Sequence, residues 1–313
     1  MGRAFFFPGQ GSQAVGMGRE LAEAFAPARH LFEEVDDALS QKLSRLMFEG
    51  PESDLTLTEN AQPALMAVSL AVVRVLQEEG GIALAEHADF VAGHSLGEYS
   101  ALAAAGALEL ADAARLLKRR GQAMQAAVPV GEGAMAALLG LDLEAAREVA
   151  EAAAEGEVCD PANDNAPGQV VLSGHRTAVE RAVALAAEKG AKRSILLPVS
   201  APFHCALMAP AADAMAEALA EIILQPPLVP LVANVTAAAV SEPESIRRLL
   251  VEQVTGLVRW RESVLALKDA GVESLVELGA GKVLTGLAKR IDRELAASAV
   301  GTPADVEALL ETL

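Results

Sequence analysis

The stretch DFVAGHSLGEYSALAAAG, residues 89–106, changes its local preference twice. Phe90, Val91 and Ala92 read as a short buried strand, Gly93 to Gly97 break it, and an alanine-rich run from Glu98 onward reads as a helix. Strand, Gly-His-Ser-Leu-Gly, helix is the context in which a G-x-S-x-G pattern is informative. Glycines on both sides of Ser95 leave room for a sharp turn that lifts the hydroxyl out. The helix starting beside it brings free N–H groups that favour negative charge. Two readings stay open on these residues alone. Ser95 is a nucleophile, or it caps the helix and the glycines serve packing.

Working outward, 313 residues can bury a large core as one large domain or two smaller ones. A formal charge of -18 argues against nucleic acid as a partner, because phosphates are gripped by basic surfaces. It also requires any acidic partner to dock on a local basic patch. Cys159 and Cys205 are too few for a disulfide framework or a metal cluster. The apolar run NAQPALMAVSLAVVRVLQEEG contains Arg74 and ends in Gln-Glu-Glu, so it is expected to be a core helix and not a membrane span. MGRAFFFPGQGSQ turns into a glycine loop too soon for a secretory signal, and the expected compartment is the cytoplasm.

The rest of the chain follows the alternation seen around Ser95. RAFFF, DFVAG, PLVPLVANV and ESLVELG read as strands; residues 18–39, 61–79, 111–125, 206–223, 242–254, 259–270 and 282–295 read as helices. Pro27 suits a first-turn position. The middle differs: AMAALLG, EVCDPAN, GQVVLSG and AKRSILLPV read as strands. Residues 142–154, opened by Asp142 as cap, and 175–190 read as the helices between them. That order is the split βαβ pattern. The expected fold class is therefore α/β. A large α/β-hydrolase-like domain with a parallel sheet (residues 1–130 and 200–313) carries an inserted ferredoxin-like βαββαβ subdomain (131–199).

FPGQGSQ, after the first strand, falls where sheet topology places it beside the serine turn. Its glycines can present a backbone N–H of Gln10 or Gly11 as a second oxyanion donor; the stretch lacks the lysine and spacing of a P-loop. Taken with FFFPGQGSQ, the segments AGHSLGEYSALAAAG, RGQAMQ, NDNAPGQVVLSG, SAPFHCALM and ELGAGKVLTGLAKRI resemble the malonyl-CoA:acyl-carrier-protein transacylase family. They occur in that family's order and span nearly the whole chain. Ala280 stands where the family commonly has proline, a departure at a turn that does not touch the chemistry.

The resemblance implies roles for particular residues. Of the five histidines, His30 and His87 sit in polar contexts and His175 beside a helix start. His204 alone would pass for a helix-start residue; by resemblance it is the general base for Ser95. No carboxylate announces itself as a third member between Ser95 and His204. The family resemblance implies a dyad whose imidazole rests on a backbone carbonyl, with Gln253 as the supporting glutamine. A neutral support fixes the tautomer without adding a full charge, which suits an acyl intermediate that waits for a thiol. Lys118 and Arg119 read as a solvated face, whereas Arg120 matches the position that grips the substrate's free carboxylate. Backbone groups of Gln10 and Leu96 are the expected oxyanion donors. His94, Phe203, Met124 and Asn163 are grouped as pocket or specificity residues, Phe203 favouring malonyl over branched extenders. Gln62 has a motif-like polar position, and Cys205 reads as a buried core thiol.

The expected activity is transfer of malonyl from malonyl-CoA to the phosphopantetheine thiol of acyl carrier protein through a seryl ester, for fatty-acid synthesis. Service to a polyketide or malonate-decarboxylase system, or a serine thioesterase or hydrolase, are the alternatives. No metal and no cofactor beyond the coenzyme A thioester substrate is expected, and the chain is read as a monomer. Lys189, Lys192, Arg193, Lys282, Lys289 and Arg290 are the candidate basic docking groups for an acidic carrier protein.

Overall fold

Alternation sorts the side chains of the first strand onto two faces: Phe5 and Phe7 enter one apolar cluster, Ala4 and Phe6 another. A strand buried on both sides needs no polar face, which is why RAFFF reads as a continuous apolar run. The computed structural model describes residues 2–312. Its strands are β1 (Gly2–Phe7), β2 (Phe90–Gly93), β3 (Gly133–Leu139), β4 (Cys159–Ala166), β5 (Gln169–His175), β6 (Arg193–Leu196), β7 (Leu231–Ala233), β8 (Ala238–Val240), β9 (Val272–Leu278) and β10 (Ala296–Val300).

Six strands form one sheet in the order β10-β9-β1-β2-β7-β8. The pairs from β10 to β7 are parallel, and β8 adds an antiparallel edge. In the register of β1 with β2, Phe7 lies opposite Gly93. The loops leaving both strands therefore emerge side by side at the sheet's carboxyl edge, where open α/β sheets place their ligands. Phe6 meets Trp260 edge to face, with ring centroids 4.9 Å apart. The long apolar helix Thr58–Glu78 is buried along most of its length, as a core helix should be. No described helix is long and apolar enough to cross a membrane.

The other four strands form an antiparallel sheet, β4-β5-β3-β6. Helices Leu143–Ala154 and Arg176–Glu188 join them in the βαββαβ order, and the Asp142 side chain caps the first by accepting from Ala145 N–H. Ala136, Leu138, Val170 and Leu172 face those helices, packing on Val149, Ala150, Val179 and Ala182. Met135, Ala137 and Val171 point the other way, into the large core. The mixed α/β class read from the sequence holds, with its parallel sheet and its separate antiparallel one.

Several boundaries differ. The helical stretch expected over 18–39 breaks at Phe25, whose extended backbone separates Arg19–Ala24 from Ala26–Leu39. The one expected over 206–223 begins as a 3-10 turn, Ala206–Met208, and runs as α-helix only over Ala209–Ala220. The last expected helix ends at Ile291, and β10 follows.

Candidate active site

Ser95 sits at the tip of the turn between β2 and the helix Gly97–Ala104 with φ 52°, in the left-handed region that a residue with a Cβ rarely adopts. Close approach explains the flanking glycines. A Cβ on Gly93 would overlap the backbone of Gly97, and one on Gly97 would overlap the Phe7 carbonyl. The turn's polar backbone is held by two side chains that arrive from other strands and helices. Asn234 Oδ1 accepts from Ser95 N–H at 2.8 Å, and Asn234 Nδ2 donates to the Gly93 carbonyl at 2.7 Å. Gln253 Nε2 donates to the Ser95 carbonyl at 2.9 Å. Asn234 is there because β7 runs parallel beside β2, so the residue leaving β7 lands next to the turn.

His204, also left-handed at φ 58°, places Nε2 2.8 Å from Ser95 Oγ. Its Nδ1 is 2.8 Å from the backbone carbonyl of Gln253. A carbonyl only accepts, so Nδ1 carries the proton and Nε2 is left as acceptor for the serine hydroxyl. Burial, reinforced by the Arg120 charge, pushes the imidazole down to about 3. A hydroxyl donating to a neutral imidazole fixed from behind is an arrangement able to generate a nucleophile.

Arg120 lies in the helix Leu110–Ala126 and is 1% exposed. Its Nη1 donates to Gln62 Oε1 at 2.8 Å, and its Nη2 donates to Gln253 Oε1 at 2.8 Å and to Ser95 Oγ at 3.1 Å. Its Nε has no acceptor, and the guanidinium carbon lies 5.8 Å from the Tyr99 ring centroid. No carboxylate is ion-paired with it among the described residues. The one acid near it, Glu98, is 1% exposed and has its carboxyl pushed up to about 8 by burial, against the opposing pull of Asn234 N–H, Gln253 and Arg120. A buried cation served only by neutral acceptors, beside the Ser95 hydroxyl, is suited to an anionic ligand group.

The acyl transferase domain family matches residues 4–302. The malonyl CoA-acyl carrier protein transacylase of Bacillus subtilis (strain 168) is 49% identical over 311 residues, 99% of this chain and 96% of that protein. The crystal structure of an acyl-carrier-protein-S-malonyltransferase from Bartonella henselae superimposes with a TM-score of 0.97 at 59% identity, covering 100% of this chain and 99% of the other. A malonyl-transacylase solved in complex with a type II PKS acyl-carrier protein gives a TM-score of 0.96 at 46% identity, covering 100% of both chains. The chain belongs to the malonyl-CoA:acyl-carrier-protein transacylase family.

Within this transacylase-family fold, the residues singled out from the sequence separate into those at the centre and those behind it. Ser95, His204, Arg120 and Gln253 converge. The N–H groups of Gln10 and Leu96 have no acceptor among the described residues, while Gln10 Oε1 accepts from Thr58 Oγ1 at 2.7 Å. His94 turns away from His204: its Nε2 is 2.9 Å from Asn165 Oδ1 and its ring lies against Trp260. Phe203 is buried in the main core beside His204, and Met124 Sδ accepts from Gln62 Nε2 at 3.8 Å. Asn163 is held in β4 by backbone pairing with Val171 and Val258, and its side chain makes no hydrogen bond to the Ser95 group. Two positions on, Asn165 is the residue of that strand whose side chain reaches the turn. Cys205 is buried, and burial pushes its thiol up to about 11. Sequence reasoning missed Asn234, Glu98 and Asn165. A signal existed for Glu98, a lone acid on an otherwise apolar helix face, and for Asn234, a polar residue ending a buried strand.

Proposed function

We propose that the chain transfers a malonyl group from malonyl-CoA to the phosphopantetheine thiol of acyl carrier protein through an ester on Ser95. His204 Nε2 takes the hydroxyl proton as Ser95 Oγ attacks the thioester carbonyl. The oxyanion forms against the N–H groups of Gln10 and Leu96, which have no acceptor among the described residues. Collapse breaks the carbon–sulfur bond, and the departing coenzyme A sulfur recovers the proton from His204. The carrier thiol then enters, gives its proton to His204 and attacks the ester carbonyl; the carbon–oxygen bond breaks and Ser95 Oγ leaves with the proton returned from His204. The kinetics are ping-pong. No step calls for a metal or a redox cofactor.

The observation that carries this reading is Arg120, buried beside Ser95 Oγ with neutral acceptors only. A malonyl carboxylate gives it a counter-charge that an acetyl group cannot. The small antiparallel sheet with its two helices, residues 131–199, is read as a subdomain set on the catalytic body. At one end of that sheet Lys192 N–H bonds the Leu139 carbonyl, and Arg290 Nη1 reaches Gln169 Oε1 at 2.6 Å. Lys192, Arg193 and Arg290 thus lie at one end of that sheet, and we assign that end to the acidic carrier protein. Lys189 is already paired with Glu148 at 3.0 Å.

Intact-protein mass spectrometry after brief mixing with malonyl-CoA tests the reading. A malonyl adduct is expected on the parent chain and none on Ser95→Ala; an adduct that survives in Ser95→Ala overturns it. Discharge of the adduct by water as fast as by carrier thiol would make the chain a hydrolase instead.

A further inference from the structure

The Gln253 side-chain amide has oxygens at one end and a guanidinium at the other. Its Nε2 faces the Ser95 carbonyl at 2.9 Å, Asn234 Oδ1 at 3.4 Å and, in a short contact, Glu98 Oε2. Its Oε1 accepts from Arg120 Nη2. Turning the amide over would set its NH2 against the guanidinium and its oxygen against three acceptors. Glu98 stands behind this arrangement, buried on the helix that follows Ser95, with its other oxygen accepting from Asn234 N–H at 2.8 Å. It touches neither Ser95 Oγ nor His204 through any hydrogen bond.

We propose that Glu98 is a positioning residue for acyl selectivity: by holding the Gln253 amide it keeps an acceptor on Arg120 and so fixes the guanidinium that receives a substrate carboxylate. This deepens the malonyl-transfer reading and rests on it. A carboxyl group offers them on both oxygens in either protonation state, whereas a glutamine amide offers them on one only. In Glu98→Gln, one of the two N–H donors must therefore face an NH2 group. The Asn234 donor is backbone and cannot turn. The Gln253 amide can, and turning it brings NH2 onto Arg120. Turning the amide also withdraws its donor from the Ser95 carbonyl, a loss both acyl groups share, while the NH2 group set against the guanidinium weakens the hold on malonyl alone.

The experiment is single-turnover loading of Ser95 from malonyl-CoA and from acetyl-CoA, read by intact mass, for the parent, Glu98→Gln, Gln253→Met and the double variant. Losing a hydrogen bond to a charged group predicts that Glu98→Gln lowers malonyl loading by about tenfold or more beyond any loss of acetyl loading. If Glu98 acts through Gln253, the double variant has the malonyl-to-acetyl ratio of Gln253→Met alone, because the effects of coupled residues do not add. Equal losses for both acyl groups in Glu98→Gln, or losses that add in the double variant, overturn the proposal. Thermal melts accompany each variant. Should Glu98→Gln not fold, Gln253→Met decides, since an unchanged ratio there removes the link to Arg120. A parent chain that takes no malonyl would instead end the malonyl-transfer reading, and this inference with it.

Discussion

Arg120 Nη2 donates to Ser95 Oγ at 3.1 Å while the same oxygen lies 2.8 Å from His204 Nε2. The group proposed to bind the acyl carboxylate and the group proposed to take the proton therefore meet on one atom.

Arg120→Ala should trade specificity. Removing one partner of a buried charge pair costs about 3–5 kcal/mol, so malonyl loading should fall by roughly two to three orders of magnitude. Acetyl loading should be retained or rise. Competition between malonyl-CoA and acetyl-CoA in one mixture, read by mass, gives the ratio directly; an unaltered ratio would remove Arg120 from the acyl site.

The pH profile follows from His204. Only the neutral imidazole accepts the serine proton, and burial holds its pKa down near about 3 in the fold, against about 6.5 in the unfolded chain. The rate of seryl-ester formation should therefore stay level as pH falls through 6.5, with its acid limb displaced well below. By linkage, the stability this group contributes is fully present above the unfolded value and is lost as pH falls from there toward about 3. A stopped-flow profile with a limb near 6.5 would contradict the burial argument.

Asn234→Ala leaves Ser95 N–H and the Gly93 carbonyl without their side-chain partners. Each buried unsatisfied group costs about 1–3 kcal/mol, enough to lower Tm measurably and to free the left-handed turn. Loading from both acyl-CoAs should drop together, because the serine itself is misplaced. A drop for malonyl alone would contradict the holding role.

Reversing charge at Arg193 and Arg290 should raise the apparent KM for carrier protein and leave malonyl loading from coenzyme A intact. Raised salt should reproduce the effect in the parent chain, as expected for exposed charges. If transfer to carrier protein is unchanged, docking lies elsewhere.

The parts of this molecule that could be read from sequence are those written in contiguous residues. The turn at Ser95 announces itself because two close backbone approaches demand glycine at fixed offsets. The small sheet does so because each element carries its own period. β10 escaped because AASAV lacks the branched and aromatic residues that mark a strand. The break at Phe25 has no glycine or proline at the break itself to signal it. At the site, resemblance pointed to Ser95, His204, Arg120 and Gln253, but the partners that hold them did not stand out. Asn234 is 139 positions from Ser95, and only the pairing of β7 with β2 brings them together. Asn165 carries no local signal, because its contact with His94 depends on how the bulged strand β4 is set against the turn.

Gln253 gives its carbonyl to the imidazole, its amide oxygen to the guanidinium and its amide nitrogen to the serine backbone. Acyl preference and reactivity therefore meet in one residue of this scaffold. A lineage, or an engineer, that retunes the pocket for an uncharged acyl group strips Arg120 of its purpose and thereby unsettles the residue on which the base rests. A single change at Arg120 is enough to switch preference, and a second change at Gln253 is where any reactivity lost with it can be recovered.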